Sequence, residues 1–386
     1  MRGANTSWAR AAAIAAIAGA LTASVLPAQA APQAAPRSAA RSHAPAAVVV
    51  ASGLHNPRDV QLQADGSLLV AEAGSGPDTP CTTPGTRCFG FSGSLYRVKG
   101  RARGRVVTGL PSEMGVRGDG TTAVNGAIQA EAAGGGTYRV VYGLNGTPAI
   151  RAALGAGGEA FGTLSTAGGT VLGDLAEHEG RYDPDAVEGN NEVFSNPHHF
   201  VRDGKDFLVT DAAANDLIRV HPDGTTTTEF VFPDNTLPAA SDVRAATPAG
   251  RVQAVPTGIV RGRDGAFYLA DMGGMVQGLS RIWRYVPGSA PTVLATGLTD
   301  VTDLDLDARG DLIALSYGSR SGSPPADSGP GSLTRIDPRK GTLTTIDTGG
   351  LLKEPAGLAV GPGGDIYVTN HTLGTGGELL RFPARR

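Results

Sequence analysis

Pro57-Arg-Asp-Val-Gln-Leu-Gln-Ala-Asp-Gly-Ser-Leu-Leu-Val-Ala-Glu72 decides the fold: a proline, an apolar strand, an Asp-Gly turn, and a second strand that ends in an acid. The phrase returns near the other end of the chain as Pro355-Ala-Gly-Leu-Ala-Val-Gly-Pro-Gly-Gly-Asp-Ile-Tyr-Val-Thr-Asn370, and further copies begin near Pro197, Pro256 and Val301. Self-similarity at a period of roughly 40 to 60 residues means that one supersecondary unit is repeated in an array. Third strands rhyme as well: Leu217-Ile-Arg-Val220, Arg281-Ile-Trp-Arg-Tyr285, Leu333-Thr-Arg-Ile336 and Leu379-Leu-Arg-Phe382. The first unit reads as strands Asp59 to Leu62, Ser67 to Ala71, Ser94 to Val98 and Arg105 to Thr108. Short strands at regular spacing argue an all-β protein, and four strands per period select a β-propeller.

The interval between the first two plain copies is too long for one unit, so a degenerate blade is expected there. Its strands are read as Asn125 to Ala130, Thr137 to Tyr142, Phe161 to Leu164 and Thr170 to Leu172, which makes six four-stranded blades. The last copy stops after its third strand, whereas Ala47-Val-Val-Val-Ala-Ser-Gly-Leu54 precedes the first blade and matches the fourth strand Val293-Leu-Ala-Thr-Gly-Leu298. Pairing this N-terminal strand into the last blade closes the ring and removes an exposed edge.

Upstream, Arg2 and Arg10 flank a charged start, an Ala/Ile/Leu run extends from Ala11 to Leu26, and Ala28-Gln29-Ala30 offers small residues to a peptidase. Residues 1–30 read as a secretory signal peptide, too short in its apolar run for a bilayer span. Residues 31–46, rich in Ala and Pro, cannot bury enough apolar surface to order themselves and read as a disordered leader. The propeller is assigned to 47–386. No later stretch is apolar enough to span a membrane, and the protein is expected outside the cell, as a monomer. Its net charge of −3, with no clustered Lys or Arg, excludes the electrostatic footprint of a nucleic-acid binder. The two cysteines, Cys81 and Cys88, flank a Pro-Gly turn with no further metal ligands nearby, which in an exported chain predicts a disulfide.

Loop lengths locate the candidate site. Turns between strands one and two are short, as in Asp203-Gly204 and Asp264-Gly265, whereas long connections gather on the opposite face: Gly74 to Gly93, Gly173 to Pro197, Pro233 to Val255 and Gly318 to Gly331. Insertions confined to one face of an array mark its binding surface. Polar residues that begin strand one or end strand two line that face: Asp59, Glu72, Asn125, His198, His199, Asp211, Asp271, Asp303 and Asn370. The ligand-binding candidates are Asp59, Asn125, His198, His199 and Asp303. Glu72, Asp211, Asp271 and Asn370 are expected instead to satisfy backbone N–H groups of the turns that follow them. Strand alternation predicts that only one of the paired imidazoles reaches the centre.

Other motifs fail. Asp303, Asp305 and Asp307 begin like a calcium loop, but Ala308 stands where glycine is needed and no glutamate closes it. His178-Glu179 has Tyr182 where a zinc-protease helix needs its second histidine, so Asp174 to Tyr182 is read as the surface of a short inserted helix. There is no Gly-x-Ser-x-Gly elbow.

Asn56-Pro-Arg-Asp59, Leu68-Leu-Val-Ala-Glu-Ala-Gly74, the cysteine loop, Arg105-Val-Val-Thr-Gly-Leu-Pro-Ser112, Ser195-Asn-Pro-His198 with Leu208-Val-Thr-Asp-Ala212, and Val252-Gln-Ala-Val-Pro-Thr257 together resemble the ScyD/ScyE-like family of secreted bacterial propellers, of NHL type. The resemblance spans nearly the whole mature chain and implies export and six blades. It brings no catalytic residues. His198-His199 departs from its pattern, as does the second blade.

Two functions follow from the sequence. One is a non-catalytic binding or scaffold module that presents the long-loop face to a small molecule, glycan or protein, since no complete catalytic constellation is present. The other is a calcium-dependent lactonase or gluconolactonase-like hydrolase, which shares the six-bladed shape and holds a metal at the axis; its ligands would be Asp59, Asn125, His199 and Asp303. A strictosidine-synthase-type lyase or synthase is a third reading.

Overall fold

The computed structural model describes residues 47–79, 81–190, 192–239, 250–318 and 329–384. The expected signal peptide and leader lie outside these residues. Six antiparallel blades surround an axis, each with its first strand innermost. The blades from the third to the fifth each hold four consecutive strands, starting at Pro197–Asp203, Pro256–Arg261 and Val301–Leu306. The sixth takes its fourth strand from the N-terminal side: Val48–Leu54 pairs with Gly377–Phe382, with Val49 opposite Leu380 and Leu54 opposite Gly377.

Six apolar clusters hold the ring together, each lying between two neighbouring blades. In the fifth blade, Leu312 and Ala314 pack toward the fourth, while the alternate residues Ile313 and Leu315 pack toward the sixth. A second strand buried on both faces reads as a continuous apolar run rather than an alternating one. Ala51, Leu54 and Leu379 of the sixth blade pack with Val60 and Val70 of the first, so the closure is a core contact as well as a strand pairing.

Two elements depart from the sequence reading. In the first blade, the third and fourth strands form a long hairpin, Arg87–Lys99 with Ala102–Val116, and a fifth strand, Thr122–Asn125, joins its sheet. The innermost strand of the second blade is accordingly Ala127–Gly134, two residues beyond the expected start. Asp174 caps the helix Leu175–Tyr182 through Glu177 N at 2.9 Å, as its acidic N-cap chemistry requires. This helix is not a surface feature: His178 and Glu179 are buried, and the His178 ring nitrogens meet Thr226 Oγ1 at 2.9 Å and Thr228 Oγ1 at 2.7 Å.

Candidate functional site

Innermost strands expose a row of backbone groups to the axis, where no further strand can pair with them, and such groups require partners when buried. Side chains of adjacent blades supply them. Gln129 Oε1 accepts from Phe200 N at 2.6 Å, Thr210 Oγ1 donates to Thr257 O at 2.5 Å, and Thr257 Oγ1 donates to Val301 O at 2.7 Å. Asp303 and Asp305 accept from Leu358 N and Val360 N, both at 2.7 Å. Thr369 Oγ1 donates to Arg58 O at 2.6 Å, and Gln63 Oε1 accepts from Ala132 N at 2.8 Å, which completes the circuit. Asp303 and Asp305 therefore sit in a strand, as their period of two suggests, yet they also join two blades.

A register shift near the start of the first strand recurs in five blades, for example between Pro57 and Val60 and between Pro197 and Phe200. Such a bulge inserts an extra residue and re-aims side chains. It explains why simple alternation fails for the histidine pair: His198 Nδ1 and His199 Nδ1 lie 2.6 Å apart and share one hydrogen bond. Both rings are on the same side.

The position that carries His199 in the third blade carries Asp59, Gln129, Gly258, Asp303 and Gly357 in the others. Three of these converge. His199 Nε2 lies 3.6 Å from Asp59 Oδ1 and 3.4 Å from Asp303 Oδ1, and all three residues are at most 2% exposed. His199 Nε2 has no hydrogen-bond partner. The two glycines make this convergence possible, since a Cβ on Gly258 would come within 2.9 Å of Asp303 Oδ1, and one on Gly357 within 2.4 Å of Asp59 Cα. Burial first, and the facing Asp59 second, hold Asp303 well above the usual carboxylate range, against two backbone N–H bonds that pull it down.

One residue nearer the long-connection face stand Arg58 and His198, both half-buried. Burial, then His199, then the Arg58 charge push the His198 imidazole well below its usual range, so it is neutral at pH 7. Arg58 Nη2 donates to Val124 O at 2.7 Å, and its Nε has no hydrogen-bond partner. Burial lowers the Arg58 pKa, and nearby Tyr317, which follows the second strand of the fifth blade, acts in the opposite sense.

Asn125 does not join this group. It ends the extra strand of the first blade, and its Nδ2 donates to Glu113 Oε2 at 2.7 Å beside the Arg87 ion pair. The residue at the axial position of the second blade is Gln129, which counting back from the hairpin Gly134–Thr137 would have found. Of the acids and amide that end second strands, Asp211 and Asp271 serve the turns that follow them, accepting from Ala213 N and Gly273 N, both at 3.1 Å, whereas Glu72 and Asn370 depart from that expectation and accept from the segments that precede their blades, from His55 N and Lys353 N, both at 2.7 Å. Cys81 and Cys88 form a disulfide, with their Cα atoms 5.8 Å apart.

Two carboxylates and an imidazole suit a cation. Ligand atoms on a tetrahedral first-row metal with bonds of about 2.0–2.1 Å sit about 3.3–3.4 Å from one another, and two of the three separations here approach that spacing. The sequence leaves the cofactor unknown, with calcium as the metal of the hydrolase alternative; calcium takes six to eight oxygen ligands, so an imidazole among three donors favours zinc or iron instead.

The fold defines the class, a six-bladed β-propeller. No protein-family model matches the chain, and no curated protein matches it. Among solved propellers, a structure described as a gluconolactonase is 10% identical, with 87% of this chain and 91% of that one covered and a TM-score of 0.43. Virginiamycin B lyase from Staphylococcus aureus is 11% identical over 88% of this chain and 98% of that one, with a TM-score of 0.42. A protein of unknown function from Bacteroides thetaiotaomicron is 12% identical over 87% of this chain and 72% of that one, with a TM-score of 0.45. Likeness at this level says nothing of activity.

Proposed function

We propose that this chain is an exported propeller that holds a first-row divalent cation on Asp59, His199 and Asp303 and hydrolyses a small ester or lactone above it. The observation that carries the reading is the buried His199 Nε2, unpartnered and facing one oxygen of each aspartate. A bound cation supplies Lewis-acid polarisation of a carbonyl group. The chain does the rest. With the Nε2 lone pair of His199 committed to the cation, its proton resides on Nδ1 and is donated to His198 Nδ1. His198 then keeps its own proton on Nε2 and presents a neutral N–H donor, while Arg58 offers positive charge for an anionic substrate group. The ScyD/ScyE-like phrases and the disulfide support export, and the near-neutral charge supports a small-molecule substrate over nucleic acid.

A second reading, a binding or scaffold module for a small molecule, glycan or protein, is favoured by the exposure of 2% or less at all three ligands. Metal analysis of the full-length protein, followed by a panel of lactones and esters with and without chelator, separates the two. Chelator-sensitive hydrolysis that His199→Ala abolishes is the expected outcome. Metal-loaded protein that turns over no member of the panel would leave the binding module standing.

A further inference from the structure

A second group of acids lies away from the axis, in the connection between the second and third blades. The helix Leu175–Tyr182 ends at Asp183, whose left-handed φ of 44° turns the chain directly into the short helix Pro184–Glu188. That turn brings an oxygen from each of Glu179, Asp183 and Asp185 to within 4.8 Å of one another. Glu179 is 0% exposed, and neither of its carboxylate oxygens has a hydrogen-bond partner; Asp183 Oδ1 and Asp185 Oδ1 are also unpartnered. An independent element adds to the group. Asp216, at the start of a strand in the third blade, is 0% exposed with both oxygens unpartnered, and it acts electrostatically with Glu179 and Asp185.

The neighbouring groups that act on Glu179 are Asp185, Asp211 and Asp183, and those that act on Asp216 are Asp211, Glu179 and Asp185, all of them carboxyl groups. Neighbouring Asp211 shows what the fold does when no cation is required: Ser195 Oγ and the backbone N–H groups of Asn196, Ala213 and Ala214 satisfy its oxygens. Burying unpaired carboxylates is costly unless a cation compensates them. We propose that Glu179, Asp183 and Asp185, backed by Asp216, form a calcium site that clamps the inserted helices to the third blade. The donors are all oxygen, with no imidazole, which selects a hard cation; magnesium, which retains several waters, fits a carboxylate cage less well.

Full-length protein, stripped with chelator and titrated with CaCl2, tests the site by calorimetry and thermal unfolding. Calcium should raise the unfolding midpoint, and Glu179→Gln should weaken its binding at least about tenfold. Glutamine is isosteric with the protonated acid, so this variant should still fold. Asp216→Asn should weaken binding in the same direction, whereas His199→Ala, at the axial centre, should leave the calcium response intact. No heat and no midpoint shift in folded wild-type protein up to about 10 mM calcium would overturn the proposal. So would Glu179→Gln binding calcium as wild type does, or magnesium matching calcium.

Discussion

Thr369 Oγ1 donates to the Arg58 carbonyl oxygen at 2.6 Å, although 311 positions of sequence separate the two residues. The same hydroxyl accepts from Gly357 N at 2.8 Å, so one side chain joins the last blade to the first at the axis. Thr369→Val keeps the shape and removes both bonds. Because buried groups are then left unmet, urea unfolding should show a loss of about 1–3 kcal/mol, with Thr369→Ser close to wild type.

Space at the axis can be tested with glycines. Gly357→Ala should destabilise the protein by about 1–3 kcal/mol, since its Cβ meets backbone of the first blade. Gly363, in a turn of the same blade, has no atom within 4 Å of the place a methyl group would take. It is the control, and Gly363→Ala should leave the thermal midpoint unchanged.

Arg87 and Glu113 form a bidentate pair with both contacts at 2.6 Å, and Glu113 is fully buried. Arg87→Met leaves that carboxylate with Asn125 as its remaining side-chain donor, and breaking such a buried pair costs about 3–5 kcal/mol. The double variant Arg87→Met/Glu113→Gln should recover part of the loss in the same denaturation assay.

The disulfide closes a small loop before the long hairpin, with a sequence separation of 7. Chain-entropy arguments give about 2.5 kcal/mol for a loop of this size. Cys81→Ser/Cys88→Ser should lower the midpoint accordingly, and added reductant should bring wild type to the same value.

Architecture is legible in the chain because it is written in short-range chemistry. Glycine-bearing turns, proline starts and short apolar strands recur in most blades, and the unmatched Val48–Leu54 strand points to its place beside Gly377–Phe382. The second blade is harder, because Thr122–Asn125 extends the first sheet and mimics the start of the next. At the axis, Asp59, His199 and Asp303 can be chosen by position, but their mutual distances depend on ring closure and on two glycines that present no signal by themselves. Strand periodicity misplaces His198 for a local reason, the bulge after Pro197, which it cannot foresee. The burial of Glu179 depends on where the inserted helix docks, and no pattern within that helix reveals it.

The recurring bulge has a wider consequence. In five of the six blades it turns a residue toward the axis, and at Gln129, Thr257 and Asp303 the re-aimed dipeptide also bonds to the next blade, so a change of chemistry there is a change in what joins the blades as well. Descendants of such a wheel are therefore expected to differ most freely at Arg58-Asp59 and His198-His199, whose side chains make no bond to the innermost strand of the next blade among the described residues, and least in the apolar seams between the sheets.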